Sequence, residues 1–148
     1  MIINKIGREV SVNSGASLFD YMRFEIMTIN EVLTEVNELK PNVYDDAIKI
    51  RWISVLEGKL IDEIFKTHEL ENKIDFNGYT MDDLTTELLV PDTYADIYKY
   101  YVFAMMDANN QEAARYASSM ALFNAAYKDF ASFYNRNNRP IGYQISLF

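Results

Sequence analysis

The chain opens with a region in which apolar and polar residues alternate. In residues 2–12 most apolar side chains share one parity, and residues 18–26 alternate again after the turn-forming Asn13-Ser14-Gly15. Period two is typical of a strand that buries one face, so residues 1–26 are predicted to form an N-terminal β-hairpin. An isolated hairpin is marginally stable, so it needs a partner surface. We expect its contacts with another subunit to come from Ile6, Val10, Val12, Met22, Phe24 and Ile26.

Beyond residue 27 the apolar spacing becomes three and four, which predicts helices. Thr28 and Glu31 form a capping box for the first helix, which Lys40 and Pro41 close. The second begins at Asn42 or at the Asp45-Asp46 pair. Its predicted apolar stripe is Ile48, Trp52, Val55 or Leu56, Leu60 and Ile64.

The third and fourth helices are predicted over residues 94–108 and from residue 113 onward, separated by the break Asn109-Asn110. A polar loop, residues 68–80, and a short turn capped by Thr80 precede them. The short break makes the two helices an antiparallel pair, which we expect at the centre of the fold. Ala117, Ala121 and Ala125 are expected to permit close packing of this pair. The last helix has a heptad seam, and the core residues predicted from it and from the second helix are Trp52, Tyr116, Met120, Phe123, Tyr127 and Phe130.

Residues 141–148 alternate once more, which predicts an extended C-terminal strand or arm. This arm packs on the chain's own N-terminal hairpin, or it is donated to the sheet edge of another subunit. The predicted fold is mainly α: an antiparallel bundle of about four helices over residues 27–140, with the hairpin 1–26 before it and the arm 141–148 after it.

Composition narrows the functional classes. The chain has 148 residues, no Cys and a net charge of −8, which argues against a protein that grips phosphate backbones. Residues 27–92 carry fifteen acidic and six basic side chains, whereas eight of the eleven Tyr lie in residues 93–148. The acidic middle is a solvated face and the Tyr-rich segment is core, or that segment also presents aromatic surface to another chain. No apolar run approaches the roughly 18 residues of a membrane span.

Candidate catalytic groups are few. His68 is the single His and stands where a helix end meets a polar loop, so we expect it to be exposed. The adjacent acids Asp45-Asp46, Asp62-Glu63 and Asp82-Asp83 diverge by about 100° on a helix and do not converge on one substrate atom. No metal-binding, phosphate-binding or nucleophile motif occurs. The sequence predicts a protein that is not an enzyme and binds no metal or cofactor.

Residues 27–140 resemble the head–tail connector (adaptor, or head-completion) proteins of long-tailed bacteriophages. The similarity is carried by MTINEVLTEVNELKPNVYDDAIKIRWISVLEGKLIDEIFKTHE and by LLVPDTYADIYKYYVFAMMDANNQEAARYASSMALFNAAYKDFASFYNRNNRP. It comprises a Trp-Ile-x-x-Leu segment, a Leu-Leu-Val-Pro hinge and the Tyr-rich helix pair. Residues 1–26 depart from the family, whose members are expected to start near Met27.

The resemblance implies a virion protein in the neck, assembled in the host cytoplasm. Such proteins form a ring, usually twelve-fold, under the portal protein, extend the DNA channel without binding DNA specifically, and carry the stopper or tail-completion proteins. The residues expected to bind the portal or another partner are Arg139, Pro140, Ile141, Tyr143, Ile145, Leu147 and Phe148. The alternatives are a small helical DNA-binding or DNA-packaging subunit and a helical chaperone or scaffold that forms no ring.

Overall fold

The computed structural model describes residues 2–3, 9–10, 25–70 and 73–142. These residues are mainly helical and contain α1 (Ile29–Leu39), α2 (Asp46–Glu63), α3 (Asp96–Asn109) and α4 (Ala113–Asn137). Short 3₁₀ turns occupy Phe65–Thr67, Met81–Asp83 and Asp92–Tyr94. Two strands of two residues each, β1 (Ile2–Ile3) and β2 (Glu9–Val10), pair antiparallel. A mainly helical, bundle-like fold was predicted from the sequence.

The predicted helix starts are confirmed. At the start of α1 the Thr28 hydroxyl accepts a bond from the Glu31 amide at 3.3 Å, and the Glu31 carboxylate accepts from the Thr28 amide at 2.7 Å. These bonds satisfy two groups that a helix terminus leaves without intrahelical partners. Asp45 precedes α2, and Thr80 forms a second capping box with Asp83.

The four helices alternate in direction. The Lys40 ammonium after α1 pairs with the Asp107 carboxylate near the end of α3, so α1 and α3 end together. The Tyr94 ring before α3 stacks on the Phe133 ring near the end of α4 at 4.7 Å, so α3 and α4 are antiparallel, as predicted. We call the end of the bundle where α2 and α4 finish the terminal end.

Only one helix of the predicted pair lies at the centre. Helix α3 packs against α1, α2 and α4. Helix α4 lies at the periphery, because among the described residues its main contacts are with α3 and with residues 92–94. Its fully buried side chains are Phe123, Phe130 and Tyr134. The buried apolar residues of the other helices are Ile29, Val32, Leu33 and Val36 of α1, Ile50, Ile53, Leu56, Leu60 and Ile61 of α2, and Ile97, Tyr98, Tyr101, Val102 and Met106 of α3.

The predicted stripe of α2 is wrong in its first half. Ile48 is 41% exposed, whereas Ile50 and Ile53 are buried. Of the two alternatives at the third step, Leu56 is buried and Val55 is 47% exposed. The helix carries apolar residues on two opposite sides. Helical spacing by itself does not distinguish the side that faces the core.

The predicted N-terminal hairpin is not supported. Ile2 pairs with Val10, so the segment predicted as one strand over residues 2–12 folds back on itself. Residues directly opposite each other in an antiparallel pair share a face. Ile2 and Val10 therefore lie on the same face whether they belong to one strand or to two paired strands, so their parity does not distinguish the two. Residues 11–24 lie outside the described residues. Glu25–Met27 form no strand, and Thr28 makes a single bridge with Glu87.

The connection between α2 and α3 is held against α2 by Gly78 and Tyr79. The Tyr79 amide donates to the Ser54 hydroxyl at 2.9 Å. Gly78 has φ +91°, and a Cβ there would lie 3.0 Å from the Ser54 Oγ. Glycine is therefore required at this position.

Candidate functional site

The C-terminal segment is attached to the bundle by a short backbone pairing, which we call the C-terminal clamp (residues 67–69 with 139–141). The Glu69 amide donates to the Arg139 carbonyl and the Ile141 amide donates to the Thr67 carbonyl, both at 2.9 Å. His68 and Pro140 form the bridge between these two bonds. Ile141 and Gly142 then lie in a turn, so the predicted strand does not begin at residue 141.

His68 lies beneath the clamp, and the prediction that it is exposed is wrong. Its side chain is only 3% exposed, and its ring contacts the Tyr134 ring edge to face at 4.8 Å. The His68 Nδ1 lies 2.7 Å from the Ile64 carbonyl oxygen. Since a carbonyl only accepts, Nδ1 carries the proton. Its neighbours Tyr134 and Pro140 are distant in sequence, so no local pattern reveals that His68 is buried.

The residues that lead into the bundle lie along the segment before α3. The Leu88 amide donates to the Met27 carbonyl at 2.9 Å, and the Asp92 amide donates to the Glu25 carbonyl at 2.8 Å. This segment continues to Tyr94, whose ring contacts Phe130 at 6.0 Å. Residues 25–28 and the C-terminal clamp therefore lie at the same, terminal end of the bundle.

The structure describes part of the predicted partner-binding set. The Arg139 side chain is exposed and Ile141 is 63% exposed. Their backbones, with that of Pro140, are bonded within the chain and do not form a free arm. The prediction for Tyr143, Ile145, Leu147 and Phe148 lies outside the described residues.

Of the residues predicted to contact another subunit, Ile6, Val12, Met22 and Phe24 lie outside the described residues. Val10 belongs to β2. Ile26 is half-buried beside the segment that precedes α3.

The predicted core seam is correct in its C-terminal half. Phe123 and Phe130 are buried, and Phe130 contacts the Phe65 ring at 5.9 Å. Met120 and Tyr127 are half-buried, and the Tyr127 hydroxyl donates to the Glu63 carboxylate at 2.5 Å. Trp52 is likewise half-buried and packs against the core and the Tyr44 ring, whereas Tyr116 is 36% exposed and is not a core residue. The correctly predicted residues lie in the part of α4 that passes the start of α3 and the 3₁₀ turns.

The Ala residues expected to permit close packing do not face α3. Ala117, Ala121 and Ala125 are all exposed. They lie on the side of α4 away from the core, because the large aromatic residues of the seam occupy the side that contacts α3.

A buried carboxylate that sequence reasoning missed joins α2, α3 and the segment before α3. Glu57 accepts from the Tyr98 hydroxyl at 2.5 Å, the Leu89 amide at 2.8 Å and the Tyr79 hydroxyl at 3.0 Å. Burial, followed by the nearby Glu57 charge, raises the pKa of Tyr98 well above its ordinary value. Glu57 lies four residues after buried Ile53, so a correct assignment of the buried side of α2 would have revealed it.

Two further buried charged side chains, Asp107 and Lys49, form bonds between elements at the opposite end of the bundle. Asp107 is bonded by the Lys40 ammonium and by the Ser119 hydroxyl. Lys49 donates to the Asp46 carboxylate at 2.8 Å, and this bond lowers the pKa of Asp46. These pairs connect helix ends. Within the described ranges, no group of three or more His, Cys, Asp or Glu is placed to hold a metal ion.

The exposed surface contributed by residues 27–92 is acidic. Its exposed acidic side chains are Glu31, Glu38, Asp45, Asp62, Glu63, Glu69, Asp75, Asp82, Glu87 and Asp92. The exposed basic side chains of the same residues are Arg51, Lys59, Lys66 and Lys73. A phosphate-binding surface would require the opposite sign of charge.

Comparison with protein-family models, with curated proteins and with solved structures found no match. In the described part of the chain, no helix combines the length and the apolarity required to cross a bilayer.

Proposed function

We propose that the chain is a structural virion protein of a tailed bacteriophage, a head–tail connector. It forms a ring beneath the portal protein, extends the DNA channel and carries a stopper or tail-completion protein. Its site of action is the neck of the virion, and it is assembled in the host cytoplasm. The proposal rests on the resemblance of residues 27–140 and on one structural observation.

That observation is the position of the two chain ends. Residues 25–28 and residues 139–142 both lie at the terminal end of the bundle. The flanking segments, residues 1–24 and 143–148, are therefore attached at one end, while the loop 40–45 and the α3–α4 turn lie at the other. A connector has to bind different proteins above and below itself, and a bundle with two distinct ends suits that task.

The surface charge supports the same proposal. The exposed acidic side chains of residues 27–92 would repel the DNA backbone rather than hold it. A wall of like charge allows a polyanion to pass without adhering. DNA would accordingly pass through the ring without specific binding.

The first experiment locates the chain. Electron microscopy of the intact phage particle should show a ring of this chain between the portal and the tail. Density for the chain in the capsid interior or in the distal tail would refute the proposed function.

The second experiment tests the C-terminal arm. Removing residues 143–148 retains the bond between the Ile141 amide and the Thr67 carbonyl, so the bundle should remain folded. We expect this truncation to abolish binding to the portal protein of the same phage. If alternate side chains enter the portal, Ile145→Asp should weaken binding at least tenfold and the matched control Ser146→Asp should not. Unchanged binding after truncation would refute the role of the arm.

A further inference from the structure

The connection between α2 and α3 contains the one Asn-Gly pair of the sequence, Asn77-Gly78. Asparagine followed by glycine is the pair most prone to spontaneous deamidation, because glycine has no Cβ that would keep its amide nitrogen away from the asparagine side chain. Whether a folded protein allows this reaction depends on the exposure, hydrogen bonds and anchoring of the pair. Each of these can be read from the structure.

The reacting groups of this pair are accessible. Asn77 and Gly78 are both exposed. Among the described residues, no hydrogen bond joins the Asn77 carboxamide or the Gly78 amide to another group. The carboxamide can therefore rotate toward the nitrogen of the next residue, and that nitrogen is not held by an acceptor.

The residues on either side of the pair are fixed to α2. The Phe76 ring lies over Gly58, since a Cβ built on Gly58 would be 3.8 Å from the Phe76 Cε1. The Tyr79 amide donates to the Ser54 hydroxyl at 2.9 Å. The Phe76 and Tyr79 rings contact each other edge to face at 5.0 Å. Asn77-Gly78 is thus a short exposed link between two anchored aromatic residues.

We propose that Asn77 is a site of spontaneous deamidation in the folded protein, with the Gly78 amide nitrogen as the nucleophile. Hydroxide removes the proton of the Gly78 amide, and the nitrogen attacks the Asn77 Cγ. The new N–Cγ bond closes a succinimide ring, the Cγ–Nδ2 bond breaks, and the leaving nitrogen takes a proton from water to depart as ammonia, which restores the hydroxide. Water that attacks Cγ then gives aspartate, and water that attacks the main-chain carbonyl carbon gives isoaspartate.

The isoaspartate product should release one of the anchored residues. Its backbone runs through Cβ and Cγ, so the path from Phe76 to Tyr79 gains one carbon. A short link that is fixed at both ends has no room for this carbon. Either Phe76 leaves Gly58 or Tyr79 leaves Ser54, and in the second case the bond of 3.0 Å from the Tyr79 hydroxyl to the Glu57 carboxylate is lost as well.

The first experiment measures the reaction itself. The purified full-length chain is incubated at mildly alkaline pH, and mass spectrometry of its peptides follows the replacement of NH₂ by OH at each asparagine. The change at Asn77 should be at least about tenfold faster than at the control Asn124, which is exposed within α4, because an α-helix holds the following amide in a hydrogen bond. Asn77→Gln should abolish the reaction at this position, because glutamine has to close a larger ring.

The unfolded chain separates the structural inference from the chemistry of the dipeptide. In concentrated guanidinium chloride the pair is free of the fold, so Asn77 should deamidate there. Because the folded connection leaves both reacting groups accessible, the rate in the folded chain should lie within about tenfold of the unfolded rate. A folded rate more than about tenfold below the unfolded rate would overturn the proposal.

The second experiment measures the expected release. Hydrogen exchange of the Tyr79 amide, followed by NMR, reports on its bond to Ser54, and the isoaspartate form should exchange at least about tenfold faster than the unaltered chain. The matched control Asn77→Asp has the same added charge without the extra backbone carbon, and it should retain the slow exchange. Equal exchange in these two forms, with the Phe76 signals also unshifted, would refute the release. Neither experiment uses portal protein, so both are independent of the proposed function.

Discussion

Truncation of Glu57 tests a buried carboxylate that accepts three hydrogen bonds from distant parts of the chain. In Glu57→Ala the Leu89 amide and the Tyr98 hydroxyl, both buried, lose their carboxylate acceptor. Each buried donor left without a partner costs about 1–3 kcal/mol, and the lost methylenes add about 1 kcal/mol. The Tyr79 hydroxyl is half-buried and can turn to water, so it adds little. We expect the variant to lose about 3–7 kcal/mol of unfolding free energy.

The assay is urea unfolding followed by circular dichroism, together with a thermal scan. For a domain of this size, a loss of about 4 kcal/mol lowers Tm by about 8–16 °C. A double-mutant cycle with Tyr98→Phe should give a coupling energy of about 2 kcal/mol, because the two side chains share one bond. The control is Glu38→Ala, which removes an exposed carboxylate of α1 and should cost less than about 1 kcal/mol. A loss below about 1 kcal/mol for Glu57→Ala would refute the assignment of this carboxylate as a structural centre.

Three further outcomes are expected. Burial and the Glu57 charge raise the pKa of Tyr98, so above pH 10 the unfolded chain releases a proton that the folded chain keeps. The unfolding free energy measured in urea should therefore fall as the pH rises above 10. Tyr98→Phe should reduce that slope by about 1.4 kcal/mol per pH unit. Gly78→Ala should lower the unfolding free energy by at least about 2 kcal/mol in the same assay, because the position combines positive φ with a close approach to Ser54. The control Gly142→Ala, with φ +79° and no neighbour within 4 Å, should lower it by about 1 kcal/mol. Equal losses would contradict the steric reason. The purified chain should pass through a heparin column at about 150 mM salt, and retention there would favour the alternative of a DNA-binding subunit.

The local features of the fold were predictable from the sequence. Thr28 with Glu31 marked the start of α1, and Thr80 marked a second cap, because capping depends on residues only three apart. Asn109-Asn110 indicated where α3 ends, and the shortness of this break indicated that α3 and α4 are antiparallel. These predictions were right because the physics that decides them acts within one or two turns of helix.

The features that depend on distant residues were not predictable. His68 is buried, its ring packs against Tyr134 of α4 and its backbone forms a bridge with Pro140. Nothing near His68 in sequence indicates that burial. The sequence placed an extended strand from residue 141 onward, which is not supported, and it gave no sign of the pairing of residues 139–141 with residues 67–69.

The buried side of α2 was predicted wrongly for a different reason. Ile48 and Val55 are as apolar as Ile50 and Ile53, so the sequence offers two candidate stripes. Glu57, a polar residue on the true core side, made that stripe look less apolar than the exposed one.

The attachment of both flanking segments at the terminal end has a mechanical consequence. A load applied between a protein held at that end and a protein held at the loop 40–45 runs lengthwise along all four helices at once. Backbone hydrogen bonds of an α-helix lie nearly parallel to its axis, so tension is shared among four parallel columns of bonds. A load applied between the two flanking segments would instead pull residues 139–141 away from residues 67–69 one bond at a time. The bundle should therefore resist tension along its length better than a load that separates the two paired segments of the clamp.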